Sequence, residues 1–414
     1  MFSTLNYLNM SAAKHKSSLR ILVSDFSGHP FQVQLARWFA AQGHEVVHTY
    51  CASFQTPRGG LSRRPEDPDN FRIEAISNNK PFKKYNLVSR WRQETEYGVK
   101  LISLAEKFNP DVFLSSNAPL GAHTKLIPWS KKKGIPYIFW LQDIYGFGIR
   151  SALKSAIPIV GGALGSVFAW LERRMWVASD YIITIADDFS KVVEGAGVPQ
   201  DRITHIPNWA PLEELPVKDR KNQWSQEHGL DDKCCILYSG TLGLKHNPAL
   251  LVHLAEALVD KEDVMIVVNS EGLGADYLHK EKESRQLDNL KIQGFQPFDR
   301  LPEVLATGDI LVTLLEDDAG RFSVPSKVLS YLCVERPLLL ALPSENLAAR
   351  TIHNSNAGLT IPPSDVDNFI AAAIRLIDNP SLRRQLAANG RRYAEDSFDI
   401  DKIGTTFQNI INKL

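Results

Sequence analysis

Short apolar runs that end in a turn and give way to a helical pattern recur along the whole chain. Residues 20–24 (Arg-Ile-Leu-Val-Ser) are the first such run, and 30–42 follow with helical character, stopped by Gly43. Apolar stretches at 45–50, 111–115, 137–141 and 181–185 predict further strands of the kind found buried in parallel sheets. Segment 205–216 breaks the rhythm with Pro207, Pro211 and Pro216, as an interdomain linker does.

The pattern then restarts. Strands are predicted at 235–238, 264–269, 290–294, 310–314 and 337–341, with helices at 247–258, 301–307, 327–333, 348–354 and 365–378. Alternation of this kind specifies a parallel sheet covered by helices on both faces, here twice over. Ligands of such sheets sit beyond the carboxyl ends of the strands, so two facing sheets leave a cleft between them. Near the end, Phe398, Ile400, Ile403, Phe407 and Ile411 recur every three to four residues and predict one apolar helix face.

At 414 residues the chain has room for two domains of ordinary size. With 44% hydrophobic and 23% charged residues it has the composition of a soluble globular protein. Lys+Arg and Asp+Glu number 47 each, so bulk charge gives no case for nucleic-acid binding. Cys51, Cys234, Cys235 and Cys333 lack metal-ligand spacing and read as reduced core thiols of a cytoplasmic protein. The first 20 residues contain no apolar signal core. The apolar run 156–171 carries Pro158, Gly161 and Gly162 and falls short of the roughly 20 residues that span a bilayer. With Arg150, Lys154, Arg173 and Arg174 beside it, the run is either a membrane-surface segment or a buried helix with a glycine hinge.

Two segments carry the chemistry. One is the strand and turn 236–248, with Gly240 and Lys245; the other is Ser323-Val-Pro-Ser-Lys-Val-Leu-Ser-Tyr-Leu, with Lys327 opening a helix. Backbone N–H groups at a helix start, with a lysine alongside, are how an α/β domain holds a diphosphate. A lysine at a helix start is unfavourable unless an anion is near. The bland alternative for both is a solvated lysine. Glu316-Asp317-Asp318 reads as a solvated loop rather than a metal site, and His123 and His205 as structural residues.

Together these segments resemble the large retaining glycosyltransferase family of GT-B fold, family 4. The nearest-looking branch is that of bacterial capsule, O-antigen and colanic-acid sugar transferases. The resemblance spans most of the chain and rests on the order of its motifs. These are Glu172-Arg-Arg-Met-Trp through the next strand, Ile206-Pro-Asn-Trp, Gly294-Phe295 followed by Leu301-Pro-Glu-Val-Leu, and Pro325-Ser-Lys through Pro337. It implies an α/β GT-B architecture of two Rossmann-like doubly wound domains facing across a cleft. An acceptor-binding domain at 1–210 and a nucleotide-sugar-binding domain at 211–394 are expected. A closing helix at 395–414 would cross back to the first domain.

By the same resemblance, Gly240, Thr241, Lys245, Pro325, Ser326 and Lys327 surround the donor diphosphate, and Lys245 stabilises the leaving group. Glu271, Gly272, Gly294 and Phe295 lie at the donor base and pocket wall. Gly28 and His29 form the acceptor-side loop, and Asp143 stands where the family has a His-Asp or Arg-Asp pair. His29 also reads as a cap or core residue, and Asp143 as a turn cap. The implied activity is retaining transfer of a hexosyl-type sugar from a nucleotide sugar, without metal or other cofactor. The acceptor would be a glycan or polyprenyl-linked sugar in cell-surface polysaccharide biosynthesis, reached by a cytoplasmic protein at the inner face of the membrane. The sequence departs from the family's pattern in places. Ser330 and Phe322 fall where paired glutamates are usual, Thr241 replaces an arginine, Gln142 a histidine, and the glycine pair is reduced to Gly28. These departures support an alternative: a degenerate GT-B protein that binds a nucleotide sugar or a partner enzyme without turnover. A nicotinamide-dependent oxidoreductase lacks its Gly-x-Gly-x-x-Gly after the first strand, and a sugar-nucleotide epimerase fits the Pro-Ser-Lys helix less well.

Overall fold

A computed structural model of the chain describes residues 18–54, 58–80, 86–116, 118–146, 161–243, 246–317 and 324–414. Lys245, Phe322, Asp318 and the beginning of the apolar run at 156–160 lie outside the described residues.

Thirteen described strands form two sheets. The first contains β1 (Arg20–Asp25), β2 (Glu45–Cys51), β3 (Phe71–Ile76), β4 (Val112–Ser116), β5 (Tyr137–Leu141), β6 (Tyr181–Thr184) and β7 (Ile203–His205), in the order β3-β2-β1-β4-β5-β6-β7. The second contains β8 (Cys234–Ser239), β9 (Val264–Asn269), β10 (Leu290–Gln293), β11 (Ile310–Leu314), β12 (Leu338–Ala341) and β13 (Gly358–Ile361), ordered β10-β9-β8-β11-β12-β13. Each described pairing is parallel. Helices cover both faces, which is why Ile21, Leu22 and Val23 in β1, and Ile236 and Leu237 in β8, are all fully buried. The winding reverses between β1 and β4 in one sheet and between β8 and β11 in the other. Loops leaving β1 and β8 therefore stand at the two topological switch points, where ligands of such sheets bind. This is the two-domain GT-B architecture.

Sequence patterning missed several described elements, among them helices Leu120–Lys133, Asp187–Glu194 and Gln223–Glu227, strand β7, and the four that follow. Strand β3 alternates buried and exposed residues at a sheet edge, so its apolar run is interrupted. Helix Leu87–Phe108 is amphipathic but lies across a locally basic stretch, and β13 is only half buried. Helix Leu273–Arg285 has almost no apolar stripe. The closing helix expected at 395–414 is divided: Pro380–Ser397 ends within it and Ile400–Ile411 begins anew, with Asp399 capping the second through the N–H groups of Asp401 and Lys402.

The terminal helix returns to the first sheet. Gly404 lies flat against the Trp38 indole, where any Cβ would run into the ring. Trp38 Nε1 donates to Asp401 at 2.7 Å, and His44 Nε2 meets Gln408 Oε1 at 2.7 Å. Phe407 packs edge-on against Trp140, which stacks on Trp209 from the linker at 5.8 Å, and Phe31 closes the group at 5.3 Å from Trp209. Trp209 finds its polar partner in Gln34 Oε1, 2.8 Å away. Strand end, linker and terminal helix thus share one aromatic core.

Truncating one of these rings should loosen the whole arrangement. Phe407→Ala is expected to cost on the order of 3 kcal/mol, as for other buried Phe-to-Ala changes. The measurement is the urea midpoint; an unchanged midpoint would show that the cluster does not bear on stability.

Candidate active site

A cavity of about 320 Å³ lies between the carboxyl ends of the two sheets, with walls from both. On the second sheet's side, β8 ends at Ser239 and the chain turns through Gly240 at φ 128°, a conformation that favours glycine. A Cβ at Gly240 would come within 3.2 Å of Lys327 Nζ, so the glycine also makes room for that cation. The Lys327 ammonium sits 3.5 Å from the centre of the Tyr238 ring, with the Thr241 carbonyl 3.5 Å away. Tyr238 in turn donates its hydroxyl to the same Thr241 carbonyl at 2.7 Å. Tyr331, one turn along helix Lys327–Cys333, accepts from Ser239 N at 2.9 Å and donates to Ser239 O at 3.0 Å. Turn and helix are therefore locked together, with the lysine between them.

Beside this turn, the Glu271 carboxylate accepts from Phe295 N at 3.2 Å and lies close to Gly294. Gly272, at φ 93°, opens helix Leu273–Arg285. Gln296 accepts from Trp224 Nε1 at 3.0 Å and donates to the Gly294 carbonyl at 3.0 Å. These bonds fix the loop after β10, so that Phe295 and Gln296 line the cavity.

The facing wall comes from the loops after β1 and β5. Asp25, fully buried at the end of β1, accepts from Ser27 N at 3.0 Å and from the backbone N–H of His29. Its Oδ1 lies 3.4 Å from His29 Nδ1. Burial alone lowers the His29 pKa, but the charge and hydrogen bond of Asp25, helped by the charge of Asp143, leave it above its ordinary value. Asp143 follows β5 and its loop is clamped from behind: Glu172 accepts from Tyr145 N at 2.9 Å and from Gly146 N at 2.7 Å. Gly146 is required there because a Cβ would strike Ala169 and the Glu172 carboxylate. Burial pushes the Glu172 carboxyl up to about 7, against the opposing pull of those two N–H groups. Gln142 exchanges two amide hydrogen bonds with Asn208, tying this loop to the linker.

Of the residues singled out in the sequence, the cavity collects His29, Asp143, Gly240, Thr241, Phe295, Pro325, Ser326 and Lys327. Gly28, Glu271, Gly272 and Gly294 stand behind them, shaping the turns that carry them. Lys245 is outside the described residues. Ser330 lines the cavity, so the position the resemblance gives to a glutamate presents a hydroxyl. Sequence reading did not find Asp25, Tyr331 or the clamp made by Glu172. Tyr331 had a signal: it lies four residues after Lys327 and so on the same helix face.

With the geometry in place, comparison with known proteins gives a consistent result. The model of the glycosyl transferase 4-like domain matches residues 29–209, and that of glycosyl transferases group 1 matches 220–393. A putative colanic acid biosynthesis glycosyl transferase, WcaI of Escherichia coli (strain K12), is 24% identical over 289 residues, covering 68% of this chain and 69% of that protein. The alpha-D-kanosaminyltransferase of Streptomyces kanamyceticus is 21% identical over 251 residues, 59% of this chain and 63% of the relative, so the match spans just under two thirds of its length. Among solved structures, Anabaena Alr3699/HepE in complex with UDP and glucose superposes with a TM-score of 0.68 at 14% identity, covering 96% of this chain and all (100%) of that one. WaaG, a glycosyltransferase involved in lipopolysaccharide biosynthesis, gives 0.66 at 14% identity over 94% of this chain and 99% of its own. The chain belongs to the glycosyltransferases of GT-B fold and family 4 type.

The clamp behind Asp143 makes a pH prediction. The folded state holds the Glu172 proton up to about pH 7, whereas an unfolded glutamate releases it near 4.5. Folded protein thus binds the extra proton between those values, and this group's contribution to stability falls as pH rises across that window. Glu172→Gln should flatten the slope of melting temperature against pH from 4.5 to 7.5. An identical slope in the variant would remove Glu172 as its source.

Proposed function

We propose that this protein transfers a sugar from a nucleotide sugar to a glycan or lipid-linked acceptor, with retention of anomeric configuration. The observation that carries the proposal is the shared cavity, in which the Gly240 turn and Lys327 of one sheet face His29 and Asp143 of the other. An anion-binding turn at the switch point of the second sheet suits the donor diphosphate. The complexes of Alr3699/HepE with UDP and with UDP-glucose support a UDP-sugar as the first donor to try.

Asp143 is the one carboxylate among the described residues lining the cavity. A single carboxylate does not supply the nucleophile and acid of a two-step displacement. It suits a course in which the leaving group does the proton chemistry. The bond from the anomeric carbon to the phosphate oxygen breaks, the acceptor oxygen bonds to that carbon on the same face, and its proton passes to a phosphate oxygen. Lys327, with Lys245 by resemblance, would stabilise charge growing on the diphosphate, the part a metal ion plays elsewhere, so the reaction is proposed to need no metal. Closure of the cleft would exclude water that otherwise hydrolyses the donor.

The acceptor is proposed to be membrane-borne, with the protein at the cytoplasmic face. Helix Gly161–Ala178 exposes Val167, Trp170 and Val177 along one side, with Arg173 and Arg174 beside them and the Arg174 guanidinium over the Trp170 ring at 4.9 Å. Such a mixed aromatic and basic face suits an anionic lipid surface. Among the described residues no helix is long and apolar enough to cross a membrane. The reading without turnover draws on Thr241 and Ser330, which replace residues usual in the donor site; nucleotide binding with no product from any acceptor would favour it.

Lys327→Ala is expected to weaken UDP-glucose binding by about 10- to 100-fold, the range for a lost charge-assisted hydrogen bond. Calorimetric titration checks it, and undiminished affinity would refute the donor assignment. Reversing Arg173 and Arg174 to glutamate should abolish sedimentation with phosphatidylglycerol vesicles while leaving UDP-glucose affinity unchanged. Unaltered sedimentation would end the membrane reading.

A further inference from the structure

Resting on the donor reading above, we propose that Asp25 and His29 form a buried carboxylate–imidazolium pair that presses a positive charge on the donor diphosphate from the first sheet, opposite Lys327. This gives His29 a part in leaving-group stabilisation rather than acceptor recognition. Asp25 becomes the positioning residue that holds the charge in place.

The case begins with Asp25. Its side chain is 0% exposed, and a buried carboxylate is costly unless a cation or several donors meet it. Two backbone N–H groups do so, and the Gln32 amide, turned to donate, lies 2.7 Å from Oδ1. Among the described residues, the only ion-pair partner of Asp25 is His29. Two other candidates for a countercharge are excluded. Arg37 is bound to Asp67 at 2.7 Å. His48, although within the field of Asp25, is buried and its pKa is held down to about 4, so it stays neutral at working pH. The imidazolium of His29 is thus the charge that balances Asp25.

The turn makes this pairing possible. Gly28 stands at φ 80°, and a Cβ there would overlap Leu61. Gly59 donates to the Gly28 carbonyl at 3.0 Å and lies so close to Pro30 that it too must lack a side chain. The chain doubles back tightly enough for residue 29 to reach the carboxylate at residue 25. With Nδ1 turned to Asp25, the ring's orientation is fixed. His29 remains 23% exposed by side chain and lines the same cavity as Gly240 and Lys327. A doubly charged diphosphate lying between cations on two domains would draw the cleft closed, and the charge developing in the transition state would meet both.

Asp25, Gln32 and Asp143 act on His29 directly, from β1, the first helix and the loop after β5. Arg58 on the neighbouring loop, and Lys327 and His246 from the second domain, line the same cavity. Glu172, behind the Asp143 loop, ionises in the same pH range and must be controlled.

The test is the pH dependence of UDP-glucose binding, measured by calorimetry from pH 6 to 9, because the diphosphate of a nucleotide sugar does not titrate there. Wild-type affinity should fall about tenfold as His29 loses its proton, the scale of one charge-assisted contact. In His29→Gln binding should be uniformly weak and flat with pH. In His29→Lys, which keeps its charge, it should be flat and tight. Asp25→Asn, checked for folding by its melting temperature, should move the midpoint to lower pH. A pH dependence lost in Glu172→Gln but kept in His29→Gln would assign it to Glu172 and overturn the proposal. A flat wild-type profile, or one that persists in His29→Gln, overturns the proposal while leaving the donor site intact. Absence of binding to both UDP-glucose and GDP-mannose, or binding that Lys327→Ala leaves unchanged, overturns the donor reading, and this inference with it.

Discussion

The contact of Trp140, Trp209, Phe31 and Phe407 is the constraint on which the rest depends. Each ring comes from a different part of the chain: the end of β5, the linker, the first helix and the last helix. The aromatic group ties the linker and the terminal helix, which join the first domain to the second, onto the first sheet through large apolar area and edge-to-face geometry. A direct ion pair between Arg350 and Asp188, at 2.8 Å, joins the two domains as well. The aromatic group also stands directly behind the cavity, where Phe31 and Trp209 contribute to the wall. A change in this packing alters where Asp143 and His29 stand relative to Gly240.

Within that frame the cleft is asymmetric in rigidity. The Gly240 turn is fixed at several points: Tyr331 grips both polar groups of Ser239, Tyr238 grips the Thr241 carbonyl, and Lys327 rests on the Tyr238 ring. The opposite wall is held by carboxylates instead. Asp25 gathers the β1 turn, and Glu172 gathers the loop that carries Asp143. On the first domain's side, the His29 pKa is held, against burial, above its ordinary value by Asp25 and Asp143, and burial pushes the Glu172 carboxyl up to about 7.

The fold was legible because its strands are of the simplest kind. Segments such as 137–141 and 310–314 are unbroken apolar runs bounded by turns, and both became central strands with the bounds read from sequence. Edge elements were harder. Strand β3 alternates with charged residues, and β13 carries Gly358 and Thr360 with no fully buried position, so neither has a period that stands out from a loop. At the site, Gly240 and Lys327 were visible as a turn glycine and a misplaced lysine. Asp25 was not, because an aspartate after a strand reads as an ordinary turn residue. Its burial follows from the position of β1 at the centre of its sheet, and only tertiary structure shows that. Glu172 is similar: nothing local marks a helical glutamate as the acceptor for two N–H groups 26 and 27 residues earlier.

The departures from the family pattern take on meaning through geometry rather than alignment. Thr241 lacks the positive charge an arginine would bring to the first turn. Yet the Lys327 ammonium reaches back to that same residue, within 3.5 Å of its carbonyl, and the glycine at 240 leaves it room. A cation thus occupies the turn although its side chain starts on another element, 86 residues further along. Ser330 likewise leaves a hydroxyl where a carboxylate would repel a diphosphate and attract that lysine away from the turn. At this turn the Lys327 ammonium thus stands on the Tyr238 ring beside the Thr241 carbonyl, and Ser330, on the same helix, presents a neutral hydroxyl to the cavity.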